Sequence, residues 1–182
     1  MHFFSQLFHF EHPWLHVSHG IWYKYPNPYC AHVASVDVLD RSVDPSTGVV
    51  RTERIIGVRQ NAPVWIIKIL GGTPDTYVRE VSFVDPATRH TSLTTVNLSM
   101  SQYLTVLERI HYIPSAEDPD KTEFHQTAEI QAARGTWRAL AARLEKWSVE
   151  RIGQNASAGR LGFEHVLRTF RAPSDSEAEA TA

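Results

Sequence analysis

From about Ala34 to Ile130, apolar and polar positions alternate with a period close to two, the rhythm of half-buried strands. Ala34, Val36 and Val38 open the series, and "GVVRTERIIGV" continues it after the Pro-, Ser- and Gly-rich turn "VDPSTG". Tyr77 to Val84, Thr91 to Leu98 and Tyr103 to Tyr112 repeat the pattern, separated by "DPATRH" and a short polar break. After "AEDPDK", Phe124, Ala128 and Ile130 alternate with Glu123, His125 and Glu129, which predicts a strand with one wet face. The spacing predicts antiparallel neighbours joined by hairpins. Met1 to Phe10 is aromatic-rich and reads as a further strand with apolar groups on both faces.

Two stretches follow a helical period instead. Pro13 opens a short helix that runs to about Lys24, because its missing N–H is not needed in a first turn. Pro26 and Pro28 stop it. From about Arg134, Trp137, Leu140, Ala141, Leu144, Trp147 and Arg151 recur at three- and four-residue steps, one face of a long helix aimed at the sheet. A second helical piece, Gly162 to Phe170, is expected after a break at "NASAGRLG". The tail "APSDSEAEATA" is small and acidic and is predicted to be disordered. Residues 1–171 thus read as one domain and 172–182 as a tail. The fold class is α+β, a curved antiparallel sheet with a short N-terminal helix, closed by a long C-terminal helix.

One segment fits neither rhythm. In "NAPVWIIKILGGT", Pro63 opens a run of Val64, Trp65, Ile66, Ile67, Ile69 and Leu70, and Gly71 and Gly72 close it with a permissive hinge. Almost no side of this run is polar, yet it is too short to cross a bilayer. Two readings stay open: a buried connector, or a mobile apolar lid that covers a cavity or dips into a membrane surface.

Composition narrows the function. The net charge of -2 and pI near 6.5 argue against a general nucleic-acid binder. No apolar run approaches the roughly 20 residues of a membrane span. "MHFFSQLFHFEHPW" has neither a basic start nor a small-residue cleavage site, so neither a signal peptide nor a transit peptide is expected. Cys30 is the single cysteine, which excludes an internal disulfide and a zinc-finger framework.

No enzyme motif stands out: there is no Gly-x-Ser-x-Gly elbow, Walker loop or Gly-x-Gly-x-x-Gly. Cys30 and His32 share a strand face in principle, but a lone buried cysteine is the simpler reading. His9, His12, His16 and His19 have tempting spacings, but they fall on different elements and lack further ligands, so no metal is expected. The basic residues are more informative. Arg54 has the strand parity of Val50, Ile56 and Val58, and Arg151 continues the apolar helix face, so both are expected to point inward. Inward charges need a protein carboxylate, for which Glu53, Glu80 and Glu108 are candidates, or an anionic ligand such as a phosphate. Lys24, set among aromatics in "WYKYPNPYCAH", is either a solvated lysine at a helix end or a third contact to that ligand.

The chain resembles the PRELI/MSF1 family of mitochondrial intermembrane-space lipid-transfer proteins. The resemblance is carried by "KYPNPYCAHVASVDVLDR" at 24–41, "RTERII" at 51–56, "APVWIIKILGGT" at 62–73, "VREVSFVDP" at 78–86, "TVNLSM" at 95–100 and "EKWSVERIGQNASAGRLGFEHVL" at 145–167. It covers about residues 1 to 170, with "LGGT", "VREVS" and "EKWSVERIGQNA…GRLGF" similar to the slowmo-type branch. The resemblance implies a seven-stranded antiparallel sheet wrapped against helices around a tunnel for one phospholipid. It implies a non-enzymatic carrier in the intermembrane space that needs no cofactor. A small helical protein with twin cysteine motifs is implied as its stabilising partner. Headgroup positions fall on Lys24, His32, Arg151 and Asn155, with Arg54 inside the matched "RTER". The lid falls on Pro63 to Ile67, Ile69, Leu70, Gly71 and Gly72. Positions that often carry lysine in the family are Val58 and Asn61 here, with Ser157 and Ala158 after Asn155. Fewer positive charges favour phosphatidylserine over phosphatidic acid; phosphatidic acid transfer and a non-transferring adaptor remain the alternatives.

Overall fold

The computed structural model describes residues 2–59 and 61–169; the acidic tail expected at 172–182 lies outside them. Among the described residues, seven strands form one antiparallel sheet: β1 (His2–Phe10), β2 (Val33–Val43), β3 (Val50–Arg59), β4 (Asp75–Asp85), β5 (His90–Asn97), β6 (Leu104–Pro114) and β7 (Thr122–Ala132). Their order is β1-β7-β6-β5-β4-β3-β2. From β2 to β7 each strand lies beside its successor, and β1 comes back to pair with β7. The hairpin turns have the chemistry that the sequence advertises. Asp85 accepts from the main-chain N–H of Ala87 and Thr88, and Asp44 accepts from Ser46, with Gly48 at φ +74 completing that turn.

Among the described residues, three α-helices complete the fold: α1 (Trp14–Gly20), α2 (Val64–Ile69) and α3 (Arg138–Thr169). Pro13 precedes α1 in extended conformation, and a 3-10 turn, Ile21–Tyr23, carries the chain on to Lys24. A second 3-10 turn, Pro28–Cys30, is capped by Asn27, whose Oδ1 accepts from the N–H of Tyr29 and Cys30 at 3.0 Å each. The N-terminal helix and the strands therefore follow the sequence reading closely.

Two expectations about α3 are corrected. It is one helix of 32 residues, with no break at "NASAGRLG". Gly162 is there for close approach, because its missing side chain makes room for Asn27. Alanines supply helix propensity between the glycines, and the packed face of the helix supplies the rest. Trp137 does not belong to the inward stripe: it precedes the helix and is 84% exposed. The buried face is instead Leu144, Ser148, Gly162, Phe163, Val166 and Leu167.

Two apolar clusters sit between the sheet and α3. Phe10, Trp14, Val17, Tyr112, Phe124 and Phe163 belong to the first, beneath α1 and the C-terminal half of α3. Ile66, Met100, Leu104, Ile130 and Leu144 form the second, joining α2 to the N-terminal half of α3. The space left between the two is a cavity.

Candidate functional site

The cavity has a volume of about 250 Å³ and is bounded by members of both clusters, including Phe10, Tyr112 and Phe163 on one side and Met100 and Leu104 on the other. Its walls are mainly apolar, as alternation predicts for the inward face of a sheet. Of the headgroup residues expected from the sequence, Lys24, His32, Arg151 and Asn155 line it. Arg54 does not. It is 3% exposed, and both Nε and Nη2 donate to Oε1 of Glu80, at 2.9 and 2.5 Å. Glu80 is the residue directly opposite Arg54 in the β3–β4 register. A buried guanidinium held this way is a structural ion pair, so the headgroup role expected of Arg54 is withdrawn.

Lys24 is delivered to the cavity by the 3-10 turn after α1. Its main-chain carbonyl accepts from Asn27 Nδ2 at 2.7 Å, which ties the lysine to the capped turn that follows. Its ammonium lies 5.4 Å from the Tyr25 ring centre and 5.8 Å from that of Phe163. Burial acts to lower its pKa, but Tyr25, Tyr112, Glu80 and Glu108 together outweigh burial and the net shift is upward, so Lys24 stays charged. Its neighbour Tyr112 is pushed upward, chiefly by burial, and stays neutral. The readings left open for this lysine are thereby narrowed: it is a cavity cation, not a solvated helix end.

Arg151 and Asn155 are one helical turn apart on α3, and both face the cavity. The Arg151 guanidinium stacks 5.7 Å from the Trp147 ring centre and donates to the main-chain carbonyl of Asn61, so it also holds the base of the α2 segment. His32 has its pKa lowered, first by burial and then by the charge of Arg151, which leaves it neutral at neutral pH.

The apolar segment forms a six-residue helix flanked by Pro63 and by Gly71 and Gly72, both at positive φ (+81 and +94). Ile66 is fully buried in the second cluster, with Trp65, Ile69 and Leu70 packed around it. Val64 is 69% exposed, and Ile67 lies in between. Trp65 stacks against the Arg143 guanidinium of α3 at 4.4 Å. The segment thus packs on α3 through a few side-chain contacts and ends at two glycines in the left-handed region.

A polar belt that the sequence pattern alone does not reveal crosses the inward face of the sheet. Gln6 is paired in register with Gln126, Glu108 with Thr95, Thr95 with Glu80, and Glu80 with Arg54. Gln126 and Glu108 are diagonal neighbours on β7 and β6, and the Gln126 amide donates to Glu108 Oε1 while its own carbonyl accepts from Gln6. The signal is present as polar residues at inward-parity positions on six strands, among further inward polar residues such as Thr52, Ser82 and Thr91. Only the register shows that these positions lie side by side.

The model of the PRELI-like family matches residues 16–173. The chain is 42% identical over 171 residues to Protein UPS2, mitochondrial, of Saccharomyces cerevisiae, covering 93% of this chain and 74% of that protein. It is 40% identical to UPS-like protein C36.10 of Schizosaccharomyces pombe over the full length of both. Among solved structures, the Zhui aromatase/cyclase from Streptomyces sp. R1128 superimposes with a TM-score of 0.59 at 12% identity, covering 94% of this chain and 96% of that one. The protein TTHA0849 from Thermus thermophilus gives 0.57 at 13% identity, covering 92% and 98%. These structural likenesses show a shared helix-grip fold and nothing of activity.

Proposed function

This chain is a member of the PRELI-like family, and from that premise we propose that it carries a phospholipid between the outer and inner mitochondrial membranes, through the intermembrane space and without enzymatic chemistry. The observation that carries the reading is a mainly apolar cavity that holds a half-buried, charged lysine and is bordered by a short apolar helix ending at two glycines. Acyl chains need apolar walls, since each methylene moved out of water is worth about 0.8 kcal/mol. A phosphate needs a cation and hydrogen-bond donors, which Lys24, Arg151, Asn155 and neutral His32 supply. The α2 segment, from Pro63 to Gly72, acts as the lid that opens at the membrane. The mitochondrial name of the Saccharomyces cerevisiae relative supports the location.

Phosphatidylserine is the preferred cargo in this reading. Val58 lines the cavity where the family often carries lysine, so a singly charged phosphodiester fits better than a doubly charged phosphate monoester. Capture and release at an anionic surface are salt-sensitive. A small helical twin-cysteine protein is the proposed stabilising partner.

Transfer between vesicles, with phosphatidylserine or phosphatidic acid in the donor, tests the proposal. The protein moves phosphatidylserine faster, and Lys24→Met reduces transfer at least about tenfold while circular dichroism stays unchanged. Mass spectrometry of lipids retained through purification separates a carrier from an adaptor with an empty pocket. No transfer of any phospholipid, with none retained, sinks the reading.

A further inference from the structure

Lys24 and Glu108 both line the cavity without pairing at contact distance. Among the described residues, no carboxylate lies within ion-pair distance of the Lys24 ammonium, and no cation lies within that distance of Glu108. Glu80, the other belt carboxylate, is already neutralised by Arg54. Glu108 is instead drawn to the opposite side of the belt, where the Gln126 amide donates to its Oε1. Gln126 is 6% exposed and is itself fixed by Gln6. Among the described residues, Oε2 of Glu108 receives no hydrogen bond, and Glu108, Gln126, Gln6 and Lys24 all line the cavity.

Such an arrangement is costly unless a ligand compensates it. In a medium of low effective dielectric, a carboxylate and an ammonium in one cavity gain most by direct contact. Here a glutamine relay holds the carboxylate back. Burial pushes the Glu108 pKa up, against the pull of Gln126 and Lys24, as expected of a carboxylate that lacks a cation at contact distance. A pocket for a purely anionic headgroup has no use for a second, unpaired carboxylate on its wall.

We propose that Glu108, oriented by Gln126 and Gln6, receives the primary ammonium of an aminophospholipid headgroup whose phosphodiester is held by Lys24. The inference rests on the lipid-carrier reading above and deepens it. Lys24 and Glu108 complement two of the three charges of a serine headgroup: the phosphodiester meets the ammonium of the lysine, and the cargo's ammonium meets Oε2 of Glu108, while the serine carboxylate is left for Arg151, which lines the same cavity. The phosphodiester and the ammonium are each then matched, and Glu108 gains charge-assisted hydrogen bonds at Oε2. Thr95, directly opposite Glu108 on β5, also lines this part of the wall and adds a neutral hydroxyl. Selectivity against phosphatidic acid follows twice over, because that lipid has no ammonium and its second negative charge is repelled by Glu108.

The test is binding of two short-chain lipids, dihexanoyl phosphatidylserine and dihexanoyl phosphatidylglycerol, to the purified full chain below their micelle concentrations. The two carry the same net charge at neutral pH, and only the first has an ammonium. Tryptophan fluorescence reads binding, and vesicle transfer of the long-chain lipids is measured in parallel. The unmodified protein binds the serine lipid at least about tenfold more tightly, the scale of one charge-assisted hydrogen bond. Glu108→Gln brings the ratio of the two affinities close to one, and Glu108→Asp, which keeps the charge, retains a ratio above one. A ratio near one in the unmodified protein overturns the proposal without any variant, so misfolding of a variant does not shield it. A ratio that Glu108→Gln leaves unchanged overturns it as well. Selective binding without any vesicle transfer supports Glu108 as the ammonium site and sinks the carrier reading, whereas transfer without headgroup preference does the reverse.

Discussion

Gly162 of α3 lies directly against Asn27: a Cβ at 162 would come within 2.8 Å of Asn27 Cγ and 2.9 Å of its Nδ2, and closer still to Oδ1. Asn27 cannot simply move aside, because its Oδ1 caps the Pro28–Cys30 turn and its Nδ2 holds the carbonyl of Lys24. The contact therefore couples the long helix to the cavity lysine.

Gly162→Ala is expected to destabilise the protein by about 1–3 kcal/mol, the cost of overpacking, despite the ~1 kcal/mol that alanine gains over glycine within a helix. Gly153→Ala makes the contrast, since a Cβ there meets nothing within 4 Å, and it is expected to raise stability by about 0.5–1 kcal/mol. Urea midpoints of the two variants read the difference. Equal shifts would show that the Gly162–Asn27 contact is slack.

Arg54 and Glu80 give a second prediction. Arg54→Met strands a buried carboxylate and is expected to cost about 3–5 kcal/mol, while the double variant Arg54→Met with Glu80→Leu recovers most of that loss. Chemical denaturation of both single variants and the double supplies the cycle. If Arg54→Met instead leaves stability intact and abolishes lipid transfer, the guanidinium serves the headgroup after all.

The strands, their hairpins and the inward parity of Arg54 were legible because each is written in a local, period-two pattern. The partner of Arg54 was not. Glu53, Glu80 and Glu108 were equal candidates by sequence, and register separated them into three roles. Glu53 lies on the outer face between Arg51 and Arg79, Glu80 faces Arg54, and Glu108 lines the cavity, held by Gln126 rather than by a cation. The continuity of α3 was hidden for a related reason. Glycine reads locally as a helix breaker, while the need for a glycine at 162 comes from Asn27, 135 residues earlier in the chain. Of the polar cavity residues, Arg151 was legible from the helical period, Lys24 was left between two readings because nothing local marks a lysine between aromatics as inward-facing, and His32 came only from the resemblance to a family.

The lid gives a third prediction. Ile66 is the one residue of α2 that is fully buried, so it anchors the closed position. Ile66→Ala is expected to remove about 2–5 kcal/mol of local packing, enough to let the segment open much more often. Hydrogen exchange of the amides from Val64 to Ile69 rises steeply, while exchange in β6 and β7 changes little. Val64→Ser, at an exposed position, leaves exchange as it was. Equal exchange in all three proteins would mean that the segment is a fixed connector.

His32 makes stability depend on pH in a definite direction. Burial, and then the positive Arg151, hold its pKa below the ordinary value near 6.5, so the unfolded chain takes up a proton here at a pH where the folded one does not. The stabilisation this represents is present above about pH 6.5 and is lost as the pH falls through the lower folded-state value. His12 and His111 are lowered as well, also chiefly by burial, and act in the same sense. The protein is therefore expected to lose stability progressively below about pH 6.5, and His32→Gln to make that decline shallower without removing it. Urea midpoints measured from pH 7.5 down to pH 5 follow both curves. A decline as steep in His32→Gln as in the unmodified protein would show that His32 is not titrating against the Arg151 charge.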